Sequence, residues 1–176
     1  MMKKKSNSAL ALVCGLILLL ALLPGTALAA GGFDDVAEDA WYAEDVQYAV
    51  DNGLMQGVGG GLFGPDALTT RAQLVTVLYR LEGEPAVTGS SFDDVSAEDY
   101  FYKPVEWAAG NKIVSGYGNG VFGPADTLTR EQFAVLLYRY ADFKGYDVSA
   151  TRGIAGYIDY LEISDWADKE IGRAHV

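Results

Sequence analysis

Two threonine–arginine pairs, Thr70-Arg71 and Thr129-Arg130, are the residues of this 176-residue chain best placed to do chemistry on a ligand. Each threonine stands three residues before a glutamine, Gln73 or Gln132, which is the spacing of a capping box, so each arginine falls on a first helical position. A helix start presents unpaired N–H groups and the positive end of the peptide dipoles, which suits an anion. A guanidinium there adds a planar fork that can take both oxygens of a carboxylate. A second role stays open on these residues alone: the threonines only cap, and each arginine pairs with a neighbouring acid such as Asp34 or Asp93.

Other residues with chemical capacity fit their surroundings less well. Adjacent carboxylates at Asp34-Asp35 and Asp93-Asp94 could serve acid–base work or Ca²⁺, but no EF-hand spacing surrounds them, and such pairs commonly make turn and cap bonds. Gly59-x-Gly61-x-x-Gly64 and Gly118-x-Gly120-x-x-Gly123 match a dinucleotide fingerprint in letters only. That fingerprint needs a strand before it and a helix directly after, whereas here a helical pattern precedes and Pro65 or Pro124 follows. Trp41, Tyr42, Phe101, Tyr102, Trp107 and Trp166 could stack on sugar rings; the first position of each helix entry (Trp41, Phe101) and Trp166 are expected nearer the core, with Tyr42 and Tyr102 left open. The single histidine, His175, leaves no Ser/His/Asp set, so no catalytic site, cofactor or metal is expected.

The elements that must position these residues come in copies. Phe33-Asp-Asp-Val36 returns as Phe92-Asp-Asp-Val95, the glycine loop Gly57–Pro65 as Gly116–Pro124, and Leu78-Tyr-Arg80 as Leu137-Tyr-Arg139, all at an offset of 59. Trp41-Tyr42 aligns by residue type with Phe101-Tyr102, a slip to 60. Each copy reads helix, long loop, helix. Val46, Ala49 and Val50 match Val105, Ala108 and Ala109, with Pro104 suited to a first turn. The second helices carry the stripes Leu74, Val77, Leu78, Leu81 and Phe133, Leu136, Leu137, Tyr140. One such pair cannot bury its stripe alone, so the copies should pack on one another in an all-α fold with long loops. The organisation expected is a first repeat over 30–89, a second over 90–148 and an incomplete third over 149–169. That third copy begins at Gly156-Tyr-Ile-Asp159, reaches Asp165-Trp-Ala167, and is expected to stay mobile past about Ser149 because its second helix is missing.

The two ends are distinctive. Lys3–Lys5, the apolar run Leu10–Leu23 and Ala27-Leu-Ala29 have the order of a secretory signal peptide (1–29), and fourteen apolar residues fall short of the roughly 20 a membrane span needs. Its removal takes away the only cysteine, Cys14, and moves the formal charge from −11 to −14. So acidic a chain is unsuited to nucleic acid, and any anionic ligand needs a local cationic site. No membrane association is expected after cleavage. At the other end, Glu170–Val176 back-translates into a common sequencing-library adapter, which leads us to expect that the gene continues and that residues 170–176 are read-through.

Together the aromatic-Asp start, the aromatic pair, the Gly-x-x-x-Gly-x-Phe-x-Pro loop, and Thr-Arg leading to Leu-Tyr-Arg resemble the S-layer homology domain, twice over and across essentially all of the mature chain. The resemblance implies three repeats around a central helix bundle, with grooves that bind a secondary polysaccharide attached to peptidoglycan, often pyruvylated. It implies that Arg71 and Arg130 meet the polymer's carboxylate, with Thr70, Thr129, Tyr42, Tyr102, Gly57 and Gly116 as further candidates. It implies a secreted protein held at the bacterial cell surface. The third copy lacks a motif arginine, which departs from the pattern. Two other roles remain: the attachment part of a larger surface enzyme such as a glycan hydrolase, and a self-assembling envelope protein that associates through its incomplete third repeat.

Overall fold

In a computed structural model the described residues are 32–89, 91–149, 158 and 160–174. The expected signal peptide, most of the opening of the third copy and the last two residues lie outside them. Five α-helices follow in order: α1 (Ala43–Asp51), α2 (Arg71–Leu81), α3 (Tyr102–Gly110), α4 (Arg130–Phe143) and α5 (Asp165–Ala174), with a 3₁₀ turn at Tyr160–Glu162. Among the described residues the only β pairing is isolated bridges, two of them inside the glycine loops. The fold is all-α, as the spacing predicts.

Both capping boxes form. Thr70 Oγ1 accepts from Gln73 N (3.3 Å) while Gln73 returns to Thr70 N (2.8 Å), and Thr129 with Gln132 repeats this at 3.2 and 3.3 Å. The C-terminal ends of α1 to α4 share one device, in which the residue after the cap turns left-handed and two N–H groups reach back to the last turn. In three helices that residue is Gly53, Gly83 or Gly145, and at the end of α3 it is Lys112, with φ +60°.

The packing unit crosses the repeat boundary. Leu74, Val75, Leu78 and Tyr79 of α2 form one core with Val95, Val105, Trp107, Ala108, Ile113, Val114 and Phe122 of the next copy. Tyr79 and Trp107 lie 5.8 Å apart at the centre of it. Backbone bonds tie the same two copies: Leu128 N donates to Thr69 O, Arg71 N to Asp126 O, and Ala72 N to Pro124 O. The joint between copies is pinned as well. Tyr79 Oη donates to Pro85 O, and the buried Glu106 carboxylate accepts from Ser91 N (2.9 Å) and Ser91 Oγ (2.7 Å). A separate small cluster of Val36, Ala43 and Val46, with Phe33, Tyr42 and Phe63 against it, seats α1.

Four expectations need correction. The first concerns register: α1 and α3 begin at Ala43 and Tyr102, an offset of 59, so there is no slip. Trp41 corresponds to Tyr100 and Tyr42 to Phe101, and both pairs make the same edge-on ring contact, at 5.4 and 5.0 Å. Residue-type matching failed here because aromatics stand at three successive positions, Tyr100 to Tyr102. Second, Trp41 is solvent-exposed and Trp166 half-exposed; only Phe101 packs on the core. Third, the second-helix stripes are rotated. Leu81, Phe133 and Leu137 are exposed, while Ala72, Val75, Tyr79 and Val135 are buried, because α2 is covered by the next copy's loop and first helix and α4 by α5.

Last, the third copy's helix does not hang free. α4 has 14 residues against 11 for α2, and α5 docks along it. Ala167 and Ile171 are buried against Val135, Ser164 donates through both N–H and Oγ to Glu131 at 3.1 Å, and Arg139 pairs with Glu170 at 3.3 Å. A first helix is buried by the second helix of the copy before it, so α5 needs no partner of its own.

Candidate functional site

Arg71 opens α2 yet is a buried residue, because the glycine loop of the second copy folds over it. Its Nε donates to Phe122 O (2.9 Å) and its Nη2 to Ser115 O (3.0 Å). The guanidinium carbon lies 4.6 Å from the ring centre of Tyr117 and 4.7 Å from that of Phe122, so the cation is held between two aromatic faces. Burial lowers its pKa from the ordinary arginine value, opposed by Tyr117, Asp126 and Asp94, and it stays charged at any physiological pH. Carbonyls thus take two of its five N–H donors, and the residue lines a groove of about 510 Å³.

That groove is walled by residues 113–117 of the second copy's loop, by Glu131, Gln132, Val135, Leu136 and Arg139 of α4, and by Trp166 of α5. Arg139 reaches Ser115 Oγ at 2.9 Å along one wall. The arrangement places one desolvated cation at depth, a second, Arg139, paired with Glu170 along the wall, and the rings of Tyr117 and Trp166 in the lining. It can take an anionic, ring-bearing ligand. No cluster able to hold a metal ion exists among the described residues.

The remaining sequence candidates sit elsewhere or act structurally. Arg130 occupies the same helical position in the second copy, but it is exposed and outside the groove lining. Thr70 and Thr129 cap. The first two N–H groups of α2 are not open to an anion, since Asp126 O and Pro124 O accept them. Tyr42 precedes α1 and packs on the small cluster, while Tyr102 packs on the main core and donates its hydroxyl to Gly89 O. Gly57 and Gly116 lie beneath Phe33 and Phe92: a Cβ at either would stand 2.6 Å from the ring above it, so glycine is needed for the close approach. Gly116 also lines the groove. Neither Asp34 nor Asp93 pairs with Arg71. Their neighbours Asp35 and Asp94 instead tie each copy's start to its glycine loop, accepting from Phe63 N and Gly64 N (both 2.7 Å) and from Phe122 N and Gly123 N (both 2.8 Å). Sequence reasoning missed Ser115, Tyr117 and Arg139, and misplaced Trp166. Tyr117 follows Gly116 in the repeated loop, but its copy-one counterpart Val58 carries no ring, so the repeat itself hid it.

Comparison with known proteins recognises the same two repeats. The S-layer homology domain family matches residues 32–75 and 91–134, half of the chain. An endoglucanase of Bacillus sp. (strain KSM-635) is 27% identical over 82% of this chain and 15% of its own length. A cell surface protein of Thermoanaerobacter kivui is 31% identical over 65% of the chain and 16% of its own length. A surface layer protein of Brevibacillus choshinensis is 32% identical over 58% of the chain and 9% of its own length. The chain therefore spans less than a fifth of each of these relatives, and what an enzyme and two surface proteins share with it is a short common segment. No helix among the described residues is long and apolar enough to cross a membrane. Two copies in register, packed across their boundary and matched by the family over both, make this chain a member of the S-layer homology domain family, whose domains anchor proteins at the bacterial cell surface.

Proposed function

We propose that this chain holds a secreted protein on the cell wall by gripping a carboxylate of a peptidoglycan-linked secondary polysaccharide in the groove that Arg71 lines. The observation that carries the reading is Arg71, a buried cation lining a groove on an otherwise strongly acidic protein. The general charge repels an anionic polymer, so capture must be local, and partial burial strengthens a charge-assisted contact there. Arg130 carries the same motif outside this groove and serves as the natural comparator. Relatives named as an endoglucanase, an amylopullulanase and an exoglucanase favour an enzyme as the passenger, whereas those named as surface layer proteins favour a structural one. Attachment is the role common to both.

Co-sedimentation with cell walls that retain or have lost their secondary polymer tests the reading. Replacing Arg71 with Ala is expected to weaken binding roughly tenfold to a hundredfold. Lysine should rescue poorly because a point charge cannot reproduce the fork, and Arg130→Ala should bind as the parent does. Circular dichroism of each variant checks the fold. A folded Arg71→Ala protein with undiminished binding, or binding indifferent to polymer extraction, would overturn the proposal.

A further inference from the structure

The corrected register exposes a position that residue-type matching conceals. Trp41, Tyr100 and Trp166 each stand five residues before a buried aliphatic residue of a first helix, namely Val46, Val105 and Ile171. All three copies thus place a large aromatic at one site, and all three leave it in water, at 89%, 65% and 50% exposure. A single exposed aromatic needs no explanation. The same exposed site filled by Trp, Tyr and Trp in copies whose neighbouring positions pack inward is a different matter.

One of the three shows what such a residue can do. Trp166 lies on α5, which is anchored independently of the indole through Ala167 and Ile163 against α4 and through Ser164 on Glu131. The ring therefore stands on a fixed support and lines the groove that Arg71 and Tyr117 also line. We propose that Trp166 is a sugar-stacking platform: its face takes the C–H face of a pyranose ring adjoining the residue whose carboxylate Arg71 grips. A pyranose has one face of axial C–H groups and a rim of hydroxyls. A flat indole held at a groove edge matches the first and leaves the second in water, in keeping with the amphipathic use of aromatic side chains at wet sites. The groove volume lies within the range of small-ligand clefts. The groove thus reads a glycan of at least two sugars rather than a lone organic acid. This inference rests on the wall-polymer reading above and adds a ligand class and a residue to it.

The test uses the full secreted chain and short fragments of the wall polymer, two or three sugars long, released by mild acid. Fluorescence reports directly, because of the three tryptophans Trp107 is buried in the core and Trp41 lies outside the groove lining. In a Trp41→Phe background, fragment binding should shift or quench the Trp166 emission. Trp166→Ala should weaken fragment binding at least about tenfold, Trp166→Phe should retain most of it, and Trp166→Leu, which keeps apolar bulk without a ring face, should behave as the alanine variant does. Trp41→Ala serves as the comparator and should bind normally. Fragment binding that fails in Arg71→Ala but survives in both Trp166→Ala and Trp166→Leu would sink the stacking platform and leave the polymer reading standing. Binding indifferent to both residues would remove the two together.

Discussion

Arg71 shows why a residue's role is not fixed by its motif. Thr-Arg occurs twice, with the same cap and the same helical position, yet only the first arginine is buried, because only the first has a following copy's loop described over it. The residue that lines the groove is also a bolt through Phe122 O and Ser115 O. The carboxylates of Asp35 and Asp94 act in a like manner within each copy and yield a pH dependence. Bonds from Phe63 N and Gly64 N hold Asp35 below its ordinary value of 3.8. For Asp94 burial pushes upward, but Phe122 N, Gly123 N and Arg71 more than offset it. Glu82 is held below 4.5 first by the Tyr140 hydroxyl and then by Lys144 across the copy boundary. With native values depressed, the unfolded chain takes up protons first. The stability these groups confer is complete above their ordinary values and is lost as pH falls through the depressed ones. Thermal melts should therefore drop steeply below about pH 4, and Asp94→Asn should flatten that slope while lowering the melting temperature at neutral pH.

At the scale of helices, the sequence carried the caps, the order of elements and the absence of strands, because these depend on spacing within a few residues. It carried the burial faces less well. Val75 and Tyr79, rather than Val77 and Leu81, face the core, since α2 is covered by the first helix and loop of the following copy and a single-helix pattern cannot register that. The docking of α5 was hidden for the same reason. The groove was half legible: Arg71 stood out by type and position, but its walls come from three copies and its partners are backbone carbonyls, which leave no trace in residue identity. The common helix terminator offers an element-scale test. Lys112 holds a left-handed conformation that three glycines hold at the equivalent ends, and a Cβ there costs about 1 kcal/mol. Lys112→Gly is expected to raise stability by roughly 0.5–1 kcal/mol in urea unfolding with an unchanged m-value.

Across the whole molecule, one packing rule recurs: the second helix of each copy covers the first helix of the next. α3 and α5 obey it, and α1, the first in line, has no predecessor among the described residues. The effect shows at matched positions. Trp107 is 5% exposed beneath α2, while its counterpart Tyr48 is 64% exposed, and Ile113 and Val114 are buried where Leu54 and Met55 are not. Stability should follow the same asymmetry. Trp107→Ala should cost about 3–5 kcal/mol and Tyr48→Ala less than about 0.5 kcal/mol, measured by denaturant unfolding of each variant. Near-equal losses would show that α1 is covered in solution.

The bolt through Arg71 has a consequence for the life of an exported protein. The contact that joins the first two copies is also the contact a wall polymer would touch, so occupancy and cohesion are thermodynamically linked: a ligand at a hundred times its dissociation constant adds about 2.7 kcal/mol to the folded state. If the polymer seats there, an occupied chain should resist proteolysis at the seam between copies better than an empty one.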